Sequence, residues 1–166
     1  MSGPARIRPA ERRDVALLLQ FVRELAEYER AAERVIGTET MLADALFGDR
    51  PSAEAVIAEV ADEPAGFALF FTTFSTWLCQ PGIYLEDLFV RPEHRRGGVG
   101  RQLLAHLARL TVERGCGRLE WAALTWNTPA LDFYAALGAE RLEEWAAHRL
   151  EGPALKRVAA GLIPER

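Results

Sequence analysis

Apolar positions along the chain follow two periodicities. Val15, Leu18, Phe21, Val22 and Leu25 recur at helical spacing, which predicts an amphipathic helix with Asp14 as its cap. Thr38, followed by Glu39 and Met41-Leu42, predicts a second helix that stops near Gly48. The pattern then shortens. Residues 54–60, rich in Ala and Val, and residues 65–74, with Phe67, Leu69, Phe71 and Phe74, predict two strands turned at Asp62-Glu63-Pro64. After a loop over 75–81 comes a strand over 82–90, then a helix over 98–114 with Val99, Leu103, Leu104, Leu107 and Leu110 on one face. Gly115-Cys116-Gly117 ends that helix. A strand over 118–124 follows, then a helix opened by Thr128-Pro129 that bears Leu131, Phe133 and Tyr134 and ends at Gly138. A short strand at 5–8 opens the chain, and a strand near 145–150 with a short helix near 153–160 closes it.

The predicted order is β-α-α-β-β-β-α-β-α-β. Neither repeats nor a linker interrupt it, so the expectation is one α/β domain over residues 1–166. A helix lying between strands 82–90 and 118–124 makes those two strands parallel neighbours.

Chemistry concentrates between strand and helix. Leu85-Glu86-Asp87-Leu88-Phe89-Val90 runs into Arg91-Pro92-Glu93-His94-Arg95-Arg96-Gly97-Gly98-Val99-Gly100. A helix N-terminus has amides without intrahelical partners and a dipole that favours negative charge. Gly97, Gly98 and Gly100 let backbone approach a ligand closely, and the pattern points to a pyrophosphate. A P-loop is excluded, because Arg101-Gln102 follows Gly100 where Lys-Ser/Thr is needed. The dinucleotide fingerprint is excluded by its spacing. Glu86-Asp87 within an apolar strand requires either one inward-facing acid or a bulge that turns both.

Composition narrows the classes. The chain has 166 residues, 49% hydrophobic and 27% charged, with a net charge of −4, which argues against a general nucleic-acid binder. Cys79 and Cys116 form no metal or disulfide pattern, and neither sits in a nucleophile motif. His94, His106 and His148 have no metal-ligand spacing, so no metal is expected. No apolar run reaches spanning length and no signal segment is seen, so no membrane association and a cytoplasmic location are expected.

Arg95-x-x-Gly98-x-Gly100 resembles the Arg/Gln-x-x-Gly-x-Gly/Ala signature of the GNAT superfamily of acyl-CoA-dependent N-acetyltransferases. Three further segments sharpen the match: Arg23-Glu24-Leu25-Ala26-Glu27-Tyr28-Glu29, Tyr84-Leu85-Glu86-Asp87-Leu88-Phe89-Val90, and Trp126-Asn127-Thr128-Pro129-Ala130-Leu131-Asp132-Phe133-Tyr134. Together they look like the diamine (spermidine/spermine and thialysine) N-acetyltransferase branch, over about Arg6 to Leu150. The resemblance implies a mixed, mostly antiparallel sheet with a splayed central parallel pair, flanked by helices, and acetyl-CoA bound where the pair splays. It implies a homodimer, with 143–160 and the strands near 65–90 as interface elements. The acceptor is a small primary amine. Rival readings are another amino acid, a xenobiotic amine, a protein N-terminus, or a non-catalytic acyl-CoA-binding module.

The resemblance also distributes roles. Glu86 takes the amine proton and Tyr134 returns one to the thiolate. Leu88, Phe89 and Val90 hold the pantetheine arm, and their amides face the reacting oxygen if the strand bulges. Arg95, Arg96, Gly97, Gly98, Val99, Gly100 and Arg101 hold the phosphates, and Asn127, Thr128, Pro129, Ala130 and Tyr134 complete the coenzyme site. Tyr28, Glu29, Glu86, Asp87, Glu120, Trp121 and Ala122 line the amine pocket, with Trp77 and Trp126 as candidate cation–π partners. Three positions depart from the branch. Ala135-Ala136-Leu137 replaces basic residues after the tyrosine, Ala146 falls at a late acidic contact, and His148 replaces a late tryptophan.

Overall fold

A computed structural model describes residues 5–162. The chain divides into two compact units, Met1–Ala122 and Ala123–Arg166. The first holds a five-stranded sheet in the order β1 (Arg6–Pro9), β2 (Glu54–Val60), β3 (Glu63–Ser75), β4 (Gln80–Val90) and β5 (Leu119–Trp121). Every neighbouring pair is antiparallel except β4 and β5, which are parallel. This is the mixed α/β sheet expected.

Helices α1 (Val15–Tyr28) and α2 (Glu39–Phe47) cover one face. Their Leu18, Phe21 and Leu46 pack with Ala55, Ile57, Phe67 and Phe89 of the sheet. Ile57, Phe67 and Phe89 are register partners, so period-two alternation puts all three on that face. Phe21 stacks on Phe67 at 5.4 Å between centroids. On the opposite face, a Cβ added at Gly100 would lie 3.8 Å from Val90 and 3.9 Å from Leu88. That places the start of α3 (Val99–Glu113) over Leu88 and Val90. α3 buries Val99, Leu103, Leu104 and Leu107, four of the five positions expected to face inward.

The β3–β4 ladder shifts register at one point. Leu69 pairs with Asp87, but Phe70 pairs with Leu85, so Glu86 is an extra residue on β4. The bulge sends Leu85 to the α3 face and Asp87 to the α1 face. β5 pairs only with Ile83, Tyr84 and Leu85, so among the described residues no strand pairs with the outer edge of β4 from Glu86 onward. This is the splay of the parallel pair.

Three expectations are corrected. The loop over 75–81 narrows to residues 76–79, because the hairpin ladder continues to Ser75↔Gln80. The strand near 145–150 does not form: in the second unit the described residues form α4 (Thr128–Ala136) and α5 (Gly152–Ala159) and no strand. Trp145-Ala146-Ala147 carries little β propensity, and a strand exists only as part of a ladder. Asp14 makes no side-chain cap bond to α1. Its carboxylate instead accepts from the Glu11 amide at 2.8 Å and from both Arg8 terminal nitrogens at 2.7 and 2.9 Å.

Arg8 also reaches Glu59 at 2.8 Å, and Arg6, itself mostly exposed, joins Glu59 at 2.6 Å, so the largely buried Asp14 and Glu59 are linked through Arg8. The Arg8 guanidinium holds the Asp14 and Glu59 carboxyls below their ordinary range. Their contribution is therefore present above the ordinary carboxylate values near pH 4 and is lost as pH falls through the lower folded values. Asp14→Ala leaves the half-buried Arg8 with Glu59 alone and is expected to cost about 2 kcal/mol in urea unfolding at pH 7. Its deficit against the parent chain should shrink below pH 4.

Candidate active site

The glycine turn follows a 3-10 turn at Pro92–His94. Arg96 and Gly98 both adopt left-handed backbone, at φ 63° and 82°, which swings the chain from β4 into α3. Gly98 caps α3 with no side chain over the first amides, as an anion site requires. Arg95, Arg96 and Arg101 are exposed around it. Gly98→Ala meets no steric obstacle, since its nearest neighbour would be Gln102 at 3.9 Å. The left-handed φ alone is expected to cost about 1–2 kcal/mol. Thermal unfolding checks that loss, and titration with CoA should show weaker binding.

Next to the turn, the bulge gathers acids. Glu86 is exposed and Asp87 is half-buried. Burial, reinforced by the charges of Glu86 and Glu29, pushes the Asp87 carboxyl up to about 6. Burial also pushes up Glu29, at the C-terminus of α1. Tyr84 is raised by burial and then by Glu86 and Glu120, so one acidic field spans β4, β5 and the end of α1. Glu120 itself is tied to Arg118 at 2.7 Å. Trp121 is half-buried at the end of β5, and Ala122 follows it, exposed.

The end of α1 is fixed by a pair that sequence reading missed. Arg91 donates to Glu24 through Nε at 3.0 Å and Nη2 at 2.9 Å, donates to the Pro64 carbonyl at 3.1 Å, and lies 4.7 Å over the Phe21 ring. The signal was faint: an arginine directly after an apolar strand, and a glutamate next to the apolar stripe of a helix. This clamp sets where Tyr28 and Glu29 stand relative to β4. Arg95 then bridges the turn and the helix. Its guanidinium lies 4.7 Å from the Tyr28 ring and 5.6 Å from the Phe89 ring, and its Nε donates to the Val90 carbonyl at 2.9 Å.

Trp77 is not near this group. It lies on the β3–β4 turn, 85% exposed, before β4 begins at Gln80. Glu86 lies six positions along the strand from Gln80, roughly 20 Å. In the second unit, the Asn127 side chain accepts from the Ala130 amide at 3.4 Å, capping α4, and Pro129 sits in its first turn. Tyr134 is half-buried with its ring 5.3 Å from Phe133. Thr128 is exposed at the helix start, and Trp126 precedes the cap, 48% exposed. Among the described residues, no group of His, Cys, Asp and Glu is arranged to hold a metal ion, and no helix is long and apolar enough to cross a membrane.

A left-handed glycine cap with exposed arginines thus follows a strand that carries a half-buried acid at its bulge. The family described as Acetyltransferase (GNAT) family matches residues 19–139. The chain belongs to this family. The acetyltransferase is 38% identical to a thialysine N-epsilon-acetyltransferase of Bos taurus over 165 residues, covering 92% of this chain and 96% of the relative. It is 30% identical to an L-ornithine N5-acetyltransferase of Arabidopsis thaliana, covering 93% and 87%. Among solved structures, an integron cassette protein from the mobile metagenome of V. cholerae superposes with a TM-score of 0.79 at 29% identity, covering 96% of this chain and 98% of that one. The family expected from the glycine turn and its flanking segments is thus confirmed, and the chain is an N-acetyltransferase.

Proposed function

We propose that this acetyltransferase moves the acetyl group of acetyl-CoA to the side-chain amine of a small basic amino acid of the thialysine or ornithine kind. The observation that carries the reading is the half-buried Asp87, raised to about 6 at a bulge beside the glycine turn. Relatives that act on thialysine and ornithine support the acceptor class. So does Ala146, which stands where the diamine branch has a late acid.

The residues fit acetyl-CoA. Arg96, Gly97, Gly98, Val99, Gly100 and Arg101 would hold its pyrophosphate, and the open β4 edge over Leu88, Phe89 and Val90 its pantetheine arm. Asn127, Thr128, Pro129 and Ala130 complete the coenzyme site in this reading. When bound, acetyl-CoA supplies the acetyl group as a thioester and departs as the thiol. The amine has an ordinary pKa of about 10 and arrives protonated. Glu86, expected to take that proton, is exposed at the bulge, and in this reading its neighbour Asp87, ionised at neutral pH but close to its own midpoint, shares the role, directly or through water. Tyr134 supplies a proton to the departing sulfur. Tyr28, Glu29, Glu120, Trp121 and Ala122 line the amine pocket, where negative charge favours a cationic acceptor. The same reading carries a homodimer working in the cytoplasm.

Competition tests the acceptor. Thialysine, ornithine, lysine, spermidine and putrescine are supplied together with acetyl-CoA, and products are separated by mass. Thialysine or ornithine should be acetylated at least about 10-fold faster than spermidine, a difference of about 1.4 kcal/mol. A preference for spermidine would overturn the amino-acid class and favour the polyamine reading.

A further inference from the structure

Tyr84 and Asp87 are three positions apart and would point to opposite faces of a regular strand. The bulge at Glu86 cancels that. Asp87 pairs with Leu69 and Tyr84 with Phe71, which are two positions apart on β3 and therefore on one face. Leu69 packs on the core beneath α1, so this is the α1 face of the sheet. The Tyr84 and Phe71 rings meet at 5.3 Å between centroids. Across the parallel pair, Tyr84 is level with Glu120. Arg118 joins the same face, because a Cβ added at Gly82, the register partner of Thr73, would lie 3.5 Å from its Cγ. Its Nε meets the Glu120 carboxylate at 2.7 Å. A strip of side chains thus runs from the Asp87 carboxyl, over two rings, to a guanidinium paired with a second carboxylate. We propose that the Arg118–Glu120 pair receives the amino-acid head of the acceptor, Arg118 taking the α-carboxylate and Glu120 the α-ammonium, while the side-chain amine extends to Asp87 and Glu86. The inference rests on the function proposed above and names the residues that select an amino acid over a diamine.

Length, charge and access all fit. Asp87 and Tyr84 are set roughly 7 Å apart along the sheet by Leu69 and Phe71, and β5 lies about 5 Å to the side. Asp87 and Glu120 are therefore roughly 8 Å apart at the backbone. In extended thialysine, six bonds separate the carboxylate carbon from the side-chain nitrogen, roughly 7–8 Å, and ornithine is one bond shorter. A basic amino acid brings one negative and two positive groups, in the order that this strip complements. The guanidinium fork matches a carboxylate, and its Nε contact with Glu120 leaves the terminal N–H donors for a second one. The side chains of Arg118 and Glu120 are 43% and 30% exposed, so a ligand reaches both from solvent. A diamine offers Arg118 nothing to bind and sets a second positive charge against it, which disfavours that class.

The test uses the full chain with acetyl-CoA and compares thialysine with bis(2-aminoethyl) sulfide, the same chain of atoms without the carboxylate. Thiol release gives kcat/KM for each amine. The parent chain should favour thialysine at least about 10-fold. Arg118→Gln should bring that ratio to within about twofold of one, chiefly by raising KM for thialysine. Arg118→Lys should restore part of the ratio, since it keeps the charge and loses the fork. A parent chain without the preference, or an unchanged ratio in Arg118→Gln, would overturn the proposal while leaving acetyl transfer to amines in place. An equal loss with both amines would also overturn it, because a purely structural role lowers both alike. No thiol release with either amine in the parent chain would overturn it together with the amine-acceptor reading, so the two failures are distinct.

Discussion

Tyr134→Phe is expected to lower turnover by about 10²- to 10⁴-fold while CoA affinity stays within about twofold. The substitution removes one oxygen and keeps the ring, so packing against Phe133 at 5.3 Å is retained. Its helix should also be unaffected, because α4 is started by the Asn127 cap and Pro129, neither of which depends on the phenol. What disappears is a neutral donor whose ordinary pKa of about 10 lies above that of a thiol, which suits it to protonate a departing sulfur. Thiol release measures the first quantity and calorimetric titration with CoA the second. A variant that keeps its rate would remove Tyr134 from the mechanism.

The second large effect has two opposite signs. Asp87→Asn should lower turnover by at least about 10²-fold, yet make the chain more stable at pH 8. The Asp87 carboxyl is raised from an ordinary 3.8 to about 6, chiefly by burial and then by Glu86 and Glu29. An acid raised in the folded state stabilises the fold when protonated, and that contribution is lost as pH climbs from about 4 through 6. Above pH 6 the folded chain holds an unwelcome charge, at a cost on the order of 2–3 kcal/mol. Asparagine avoids it, so the gain in urea unfolding should be full at pH 8 and absent near pH 4. The parent chain should gain kcat/KM as pH rises through about 6, in step with ionisation of this carboxyl. Equal destabilisation of the variant at both pH values would show that Asp87 holds the bulge together and is not strained by it.

The parts of the site that are local in sequence were legible. The turn at Arg95–Gly100 was legible from its glycines, of which Gly98 takes the left-handed φ of 82° that favours glycine, while the other left-handed residue, Arg96, was not foreseen. The bulge was half legible: two consecutive acids in an apolar strand called for either one inward-facing acid or a bulge that turns both, and the ladder has a bulge with only Asp87 withdrawn from water. Which acid is withdrawn from water was not legible. That depends on Leu69 pairing with Asp87 while Phe70 pairs with Leu85, a register set by a different strand. The same distance in sequence hid Arg95 over Tyr28 and Arg91 on Glu24. Asp14 misled for a related reason: a residue suited to cap a helix was claimed by Arg8, six positions earlier on β1. Trp77 misled by type, since an aromatic side chain near the strand pair in sequence lies on a hairpin turn in space. Near 145–150 the composition was weakly strand-like, and no ladder forms there among the described residues.

The most direct measurement is thiol release from acetyl-CoA by the purified chain on addition of thialysine, with the amine product identified by mass. The account predicts release that depends on both substrates and matches N-acetylthialysine formed one for one. Tight acetyl-CoA binding with no thiol released by thialysine, ornithine, lysine or spermidine would contradict it and leave a coenzyme-binding module of the same fold.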